Sequence, residues 1–245
     1  MTAGALRIEA ALREVSGRPA LAAFLTAGYP GRESFRRHLD EVAGVADVVE
    51  IGVPFTDPMA DGVTIQRASR AALEAGVTIA SILEAVRGAT VPILLMSYLN
   101  PLLAHGVDRL DGIDGVIVPD LPREERDLLA GPLAERGIAL ISFVSPATDP
   151  ERAAAIAAEA EGFVYAVAIN GTTGRGDADL SGARGYLARV RAAARCPVLA
   201  GFGVRTREDV HAVAPPADGV VVGSALIEAI ERGDEPAAFL RGVLA

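Results

Sequence analysis

Glu50 is a lone charge within an apolar run, Val48-Val49-Glu50-Ile51-Gly52-Val53. In an extended chain, alternate side chains share a face, so Val48, Glu50 and Gly52 lie on one side and Val49, Ile51 and Val53 on the other. The second set suits packing against helices, which turns Glu50 toward the interior of whatever the strand helps to enclose. An enclosed carboxylate loses hydration and gains proton affinity, and so becomes fit for acid–base work. A structural glutamate paired with arginine is the competing reading, although burying a carboxylate to no functional end is costly. The segment that follows, 54–62, is long for a strand-to-helix loop and carries two acids, Asp57 and Asp61. Either acid could act in catalysis or merely cap the next helix, a role for which Thr64 competes. Three glycine turns complete the candidate chemistry: Gly171-Thr172-Thr173-Gly174, Gly201-Phe202-Gly203 and Gly223-Ser224. Turns that open onto a helix present backbone N–H groups to an anion without needing a lysine. The simpler reading is that glycine permits tight turns there.

These residues need elements to position them. Eight short runs rich in Val, Ile and Leu recur along the chain: 20–26, 47–53, 92–98, 115–119, 139–145, 162–168, 197–203 and 219–223. Nearly continuous apolar runs of this length fit strands buried on both faces of a parallel sheet. Helical patterns fill the gaps. Ile8, Leu12 and Val15 are followed by Gly17 as a stop. Thr78 is placed to cap a helix with Ile79, Ile82, Leu83 and Val86 on its face, and Asp149-Pro150 to open another. Pro132 lies within the pattern of Leu128, Leu129 and Leu133, where a kink or a late start is expected. A final helix carries Phe239, Leu240, Val243 and Leu244. Eight strand–helix units in about 250 residues indicate one (β/α)8 TIM barrel domain spanning 1–245, with an extra N-terminal helix and a short extra helix, about 225–231, after the eighth strand. A doubly wound open sheet would normally show a glycine fingerprint after its first strand, and Thr26-Ala27-Gly28-Tyr29-Pro30-Gly31 does not supply one. In a barrel, Glu50, the 54–62 loop and the last glycine turns all lie toward the C-terminal ends of the strands, where catalytic residues gather.

Composition removes other classes. The chain has 245 residues and 23 basic side chains, all arginine. Without lysine there is no Schiff base and no P-loop. His38, His105 and His211 are far apart and Cys196 is alone, so neither a dedicated zinc site nor a disulfide is expected, in keeping with a reducing cytoplasm. Cys196 reads as a small buried hydrophobe. A formal charge of −9 argues against nucleic acid. No apolar run reaches membrane-spanning length, and the N-terminal segment lacks the apolar core of a signal peptide.

The stretch Val48 to Gln66, VVEIGVPFTDPMADGVTIQ, closely resembles the tryptophan synthase α-subunit family. Further matches run in order along nearly the whole chain: 24–30, Met96-Ser97-Tyr98-Leu99-Asn100-Pro101, Val118-Pro119-Asp120-Leu121-Pro122, 171–174, 201–203 and 222–225. The resemblance implies a barrel lyase that cleaves indole-3-glycerol phosphate to indole and glyceraldehyde 3-phosphate with no cofactor and no metal. It implies that Glu50 handles proton transfer at indole C3 and the glycerol hydroxyl, and that Asp61 holds the indole N–H. Gly174, Gly203, Gly223 and Ser224 match the family's phosphate loops. Phe24, Tyr98, Tyr165 and Phe202, with Thr173 nearby, match positions around the indole pocket, and Met96, Ile117 and Val144 would be its aliphatic lining. The segments 54–62 and about 170–180 look like two mobile lids.

Pro54, Asp57 and Asn100 match positions facing a β subunit, which implies an α2β2 partnership. Val63 stands where the family commonly has proline, and Ile169-Asn170 and Arg175-Gly176-Asp177 depart from it around the second lid. These changes keep open a stand-alone lyase that releases free indole for specialised metabolism. A ligand-binding allosteric partner without turnover, and a phosphosugar isomerase or epimerase on a similar barrel, are the remaining competing readings.

Overall fold

The computed structural model describes residues 1–168, 180 and 182–245. A wall of parallel strands runs through them, in the order β5-β4-β3-β2-β1-β9-β8-β7-β6. The strands are β1 (Ala20–Thr26), β2 (Val48–Gly52), β3 (Ile93–Met96), β4 (Gly115–Ile117), β5 (Ala139–Leu140), β6 (Ser142–Val144), β7 (Val164–Val167), β8 (Val198–Gly201) and β9 (Gly219–Val222). All eight apolar runs become strands. The ninth segment arises because the run at 139–145 is interrupted at Ile141. Its first half pairs with β4 and its second half with β7. The Ile141 N–H still donates to the Val116 carbonyl (3.0 Å), so one continuous stretch of chain closes the barrel.

Helices surround this wall: α1 (Ala3–Arg13), α2 (Arg32–Ala43), α3 (Val63–Glu74), α4 (Ile79–Ala85), α5 (Leu99–His105), α6 (Asp127–Glu135), α7 (Pro150–Glu159), α8 (Ala183–Ala193), α9 (Arg207–Val213), α10 (Ser224–Arg232) and α11 (Pro236–Leu244). Their starts follow local chemistry. Thr78 and Ser81 form a reciprocal capping box on α4, and the Asp149 carboxylate accepts from the N–H groups of Glu151 and Arg152 ahead of Pro150. The helix containing Pro132 does not start late: α6 begins five residues before the proline and runs through it, burying Leu129 and Leu133.

The period-two alternation of the strands sorts the core into two shells. Ala20, Ala22, Val48, Leu94, Ile117, Phe163, Leu199 and Val221 fill the barrel interior. Leu21, Ala23, Leu25, Val49, Ile51, Val53 and Leu95 pack outward against the helices. The extra helix α1 closes the N-terminal end. Ile8, fully buried, joins the interior shell, and Gly4 sits so close to the loop before β4 that a Cβ there would lie 1.9 Å from the Asp114 carbonyl oxygen. The C-terminal ends of the strands remain for the site.

Candidate active site

β2 turns Glu50 inward, between Phe24 on β1 and Leu94 on β3. The side chain is fully buried, and neither carboxyl oxygen has a hydrogen-bond partner among the described residues. With hydration removed and nothing replacing it, burial pushes its pKa up to about 8. At neutral pH Glu50 therefore holds its proton.

Asp61 reaches the same region from the loop after β2. The N-cap of α3 is Gly62, so neither Asp57 nor Asp61 stands at the cap, and Thr64 bonds elsewhere. Asp61 is half-buried. Burial raises its pKa, a hydrogen bond from the Tyr98 hydroxyl opposes this, and the balance lies at about 6. Tyr98 holds this loop by a second bond, its hydroxyl accepting from the Ala60 N–H at 2.8 Å, while its ring packs against Phe55 with centroids 5.2 Å apart. Tyr165 on β7 senses both acids: its phenol is pushed up first by burial and then by the charges of Glu50 and Asp61. At pH 7 the pair is thus split, with one carboxyl protonated and the other ionised.

Asp61 opens onto a cleft at the C-terminal ends of the strands. Phe24, Asp61, Met96, Tyr165 and Phe202 line one part of it, and Gly203, Arg205, Gly223 and Ser224 the other. An adjoining small lobe shares Phe24, Asp61 and Met96 and adds Tyr98. Phe202 is held at φ 68°, a conformation uncommon for a residue with a side chain, and its ring meets Tyr165 edge-on at 5.9 Å. Ser224 opens α10: the Leu226 and Ile227 N–H groups donate to the Gly223 carbonyl, which leaves those of Ser224 and Ala225, both lining this end of the cleft, without a backbone acceptor among the described residues. Glu50 itself lies beside Phe24, enclosed rather than in the cleft wall.

Of the described sequence-derived residues, Asp61, Phe24, Met96, Tyr98, Tyr165, Phe202, Gly203, Gly223 and Ser224 converge on the cleft wall, Glu50 lies enclosed behind it, and two others do not reach it. Ile117 is fully buried in the interior shell, packed with Tyr165 and Met96 rather than exposed in the cleft. Val144 does not line it: it faces the outer, helix-packed shell. Alternation continues through Ile141, so Phe143 shares the inner side with Ala139 and Ile141, and its ring stacks on Tyr165 at 4.5 Å. Thr173 and Gly174 lie outside the described residues. Sequence reasoning passed over Arg205, whose signal was slight: an arginine two residues beyond a glycine turn in a chain without lysine. On the rim, Pro54 is buried while Asp57 and Asn100 are exposed, and Met59, Val63 and Leu103 expose large apolar side chains nearby in sequence.

Residues 10–242 match the family model described as "Tryptophan synthase alpha chain". A tryptophan synthase alpha chain of Bacillus cereus (strain ZK / E33L) is 44% identical over 242 residues, covering 94% of this chain and 92% of the relative. Among solved structures, Mycobacterium tuberculosis tryptophan synthase aligns with a TM-score of 0.85 at 32% identity over 100% of both chains. The tryptophan synthase subunit alpha of Campylobacter jejuni aligns with a TM-score of 0.83 at 29% identity, over 95% of this chain and 98% of that one.

Proposed function

The chain belongs to the tryptophan synthase alpha-chain family and is a lyase that cleaves indole-3-glycerol phosphate in tryptophan biosynthesis, and from that premise we propose that Glu50 and Asp61 carry the reaction. The observation that supports this most is the split pair: a fully enclosed carboxyl near 8, beside the cleft-lining Phe24, and an ionised one near 6 in the cleft wall.

Protonated Glu50 swings into the cleft and delivers its proton to indole C3. The ring becomes an electron-accepting iminium, and the Asp61 carboxylate, hydrogen-bonded to the ring N–H, stabilises the positive charge. Glu50, now ionised, takes the proton of the glycerol hydroxyl next to the ring. That hydroxyl oxygen forms the aldehyde as the carbon–carbon bond breaks, and the bonding pair returns to the indole ring. Glu50 ends as it began, and the products are indole and glyceraldehyde 3-phosphate. The substrate's own ring is the electron sink, so the absence of lysine is no obstacle.

Phe24, Tyr98, Tyr165 and Phe202 enclose the indole, with Met96 against it. The backbone at Gly203, Gly223 and Ser224 receives the phosphate. Gly174 and Thr173 enter this reading on their sequence match. An alpha chain implies a β-subunit partner, and an α2β2 assembly completes the proposal. The exposed Met59, Val63 and Leu103, together with Asp57 and Asn100, support a partner at this rim. Among the described residues no helix is long and apolar enough to cross a membrane, and we place the enzyme in the cytoplasm.

The test is purified protein with indole-3-glycerol phosphate, assayed with and without a β subunit. Indole and glyceraldehyde 3-phosphate should form in equal amounts, and faster with the partner. Full speed unaffected by the partner would instead identify a stand-alone lyase.

A further inference from the structure

Arg205 follows β8 and lines the cleft beside Gly203, Gly223 and Ser224. Among the described residues that line the cleft, it is the one cation. Its position is fixed twice. Its backbone N–H donates to the Asp209 carboxylate at 2.9 Å, next to the capping box that starts α9. Its guanidinium forms a two-pronged ion pair with Glu228, in the second turn of α10. Glu228 has a second donor: the Thr64 hydroxyl, at 3.1 Å, from a position three residues past Asp61. Burial would raise the Glu228 carboxyl, but Arg205 and Thr64 outweigh it and hold it below its usual value. Two prongs to Glu228 do not use all five guanidinium donors, so the remainder are free in number to serve a ligand.

We propose that Arg205 is a substrate-binding residue that supplies side-chain charge to the phosphate end of the cleft, with Glu228 and Thr64 as positioning residues that tie it to the segment bearing Asp61. The inference rests on the assignment of that end of the cleft to phosphate. A phosphate monoester carries close to two negative charges at neutral pH, whereas backbone N–H groups and a helix terminus offer partial charges. A guanidinium with open donors is suited to make up the difference.

The experiment uses the full chain with its β subunit and measures glycerol 3-phosphate affinity, indole affinity, and kcat and KM for indole-3-glycerol phosphate. Arg205→Gln should weaken glycerol 3-phosphate and raise KM by about ten- to a hundred-fold, the range of a charge-assisted hydrogen bond, while leaving indole affinity unchanged. Arg205→Lys should recover part of the loss. The double variant Arg205→Gln/Glu228→Gln should stay weak toward glycerol 3-phosphate. Recovery of wild-type affinity in the double variant would overturn the proposal, because Arg205 would then merely mask Glu228. Unchanged glycerol 3-phosphate affinity in Arg205→Gln, or an equal loss of indole affinity, would overturn it too. If wild-type protein binds glycerol 3-phosphate and releases indole while Arg205→Gln does the same, this inference alone fails. If wild-type protein releases no indole, the assigned reaction fails instead.

Discussion

Glu50 and Asp61 are the same kind of group, placed where water treats them differently. Glu50 has no exposure and no hydrogen-bond partner among the described residues; Asp61 keeps part of its hydration and gains a bond from Tyr98. The account needs the first protonated and the second ionised. Raising pH through about 8 empties Glu50, and lowering it through about 6 fills Asp61, so activity declines on both sides. The kcat/KM profile of the free enzyme should therefore be a bell with its maximum between those values. A profile flat from the acid limb to the alkaline one would remove the division of roles. At this scale the sequence was legible where alternation was regular. Glu50 could be placed because five strand residues keep strict period two. Val144 was misplaced because it was taken from the family resemblance alone; the alternation itself is unbroken from Ala139, putting Ile141 and Phe143 inward with it and Leu140 and Val144 outward. Arg205 escaped notice because its importance comes from Glu228 and Thr64, distant in sequence and adjacent only in the fold.

The strands do more than carry these groups; their glycines make room for the aromatic walls. A Cβ on Gly52 of β2 would stand 2.3 Å from the Phe24 ring, and one on Gly201 of β8 would stand 2.5 Å from the Tyr165 ring. Gly201→Ala should displace Tyr165, lowering stability by about 1–3 kcal/mol as an overpacked site and raising KM. Gly185→Ala on α8 is the matching control. Its added methyl meets nothing closer than a flexible arginine end at 3.8 Å, so it should gain about 0.5–1 kcal/mol from helix propensity. Urea unfolding of both variants checks the pair, and equal effects would contradict the assigned packing. The existence and order of the elements were readable because each strand is a short, nearly continuous apolar run bounded by turn residues. The passage of α6 through Pro132 was not, because its tertiary packing through Leu129 and Leu133 overrides local preference.

Taken whole, the molecule separates stability from chemistry by its two ends. Below, α1 closes the barrel with Ile8 in the interior shell, and its exposed Arg7 pairs at 2.7 Å with the buried Asp114 carboxylate, which also accepts from the Ile93 N–H. Above, the loops hold the cleft. Ile8→Ala should accordingly cost about 2–5 kcal/mol of unfolding free energy with kcat unchanged while the protein remains folded. Loss of kcat in the folded variant would show the two ends to be coupled. The barrel was legible from eight runs and chain length, and the extra helix α1 from the pattern of Ile8, Leu12 and Val15, though not its role in closing the barrel. What the sequence did not show was how closely α1 lies on the loop before β4, since Gly4 is informative only once Asp114 lies against it.

The central claim is that Glu50 moves both protons of the cleavage. It is tested most directly by indole release from indole-3-glycerol phosphate catalysed by Glu50→Gln in complex with the β subunit. Glutamine keeps the shape and cannot donate or accept the proton, so turnover should fall by about 10²–10⁴-fold, with KM little changed. Turnover close to that of the wild-type protein would contradict it.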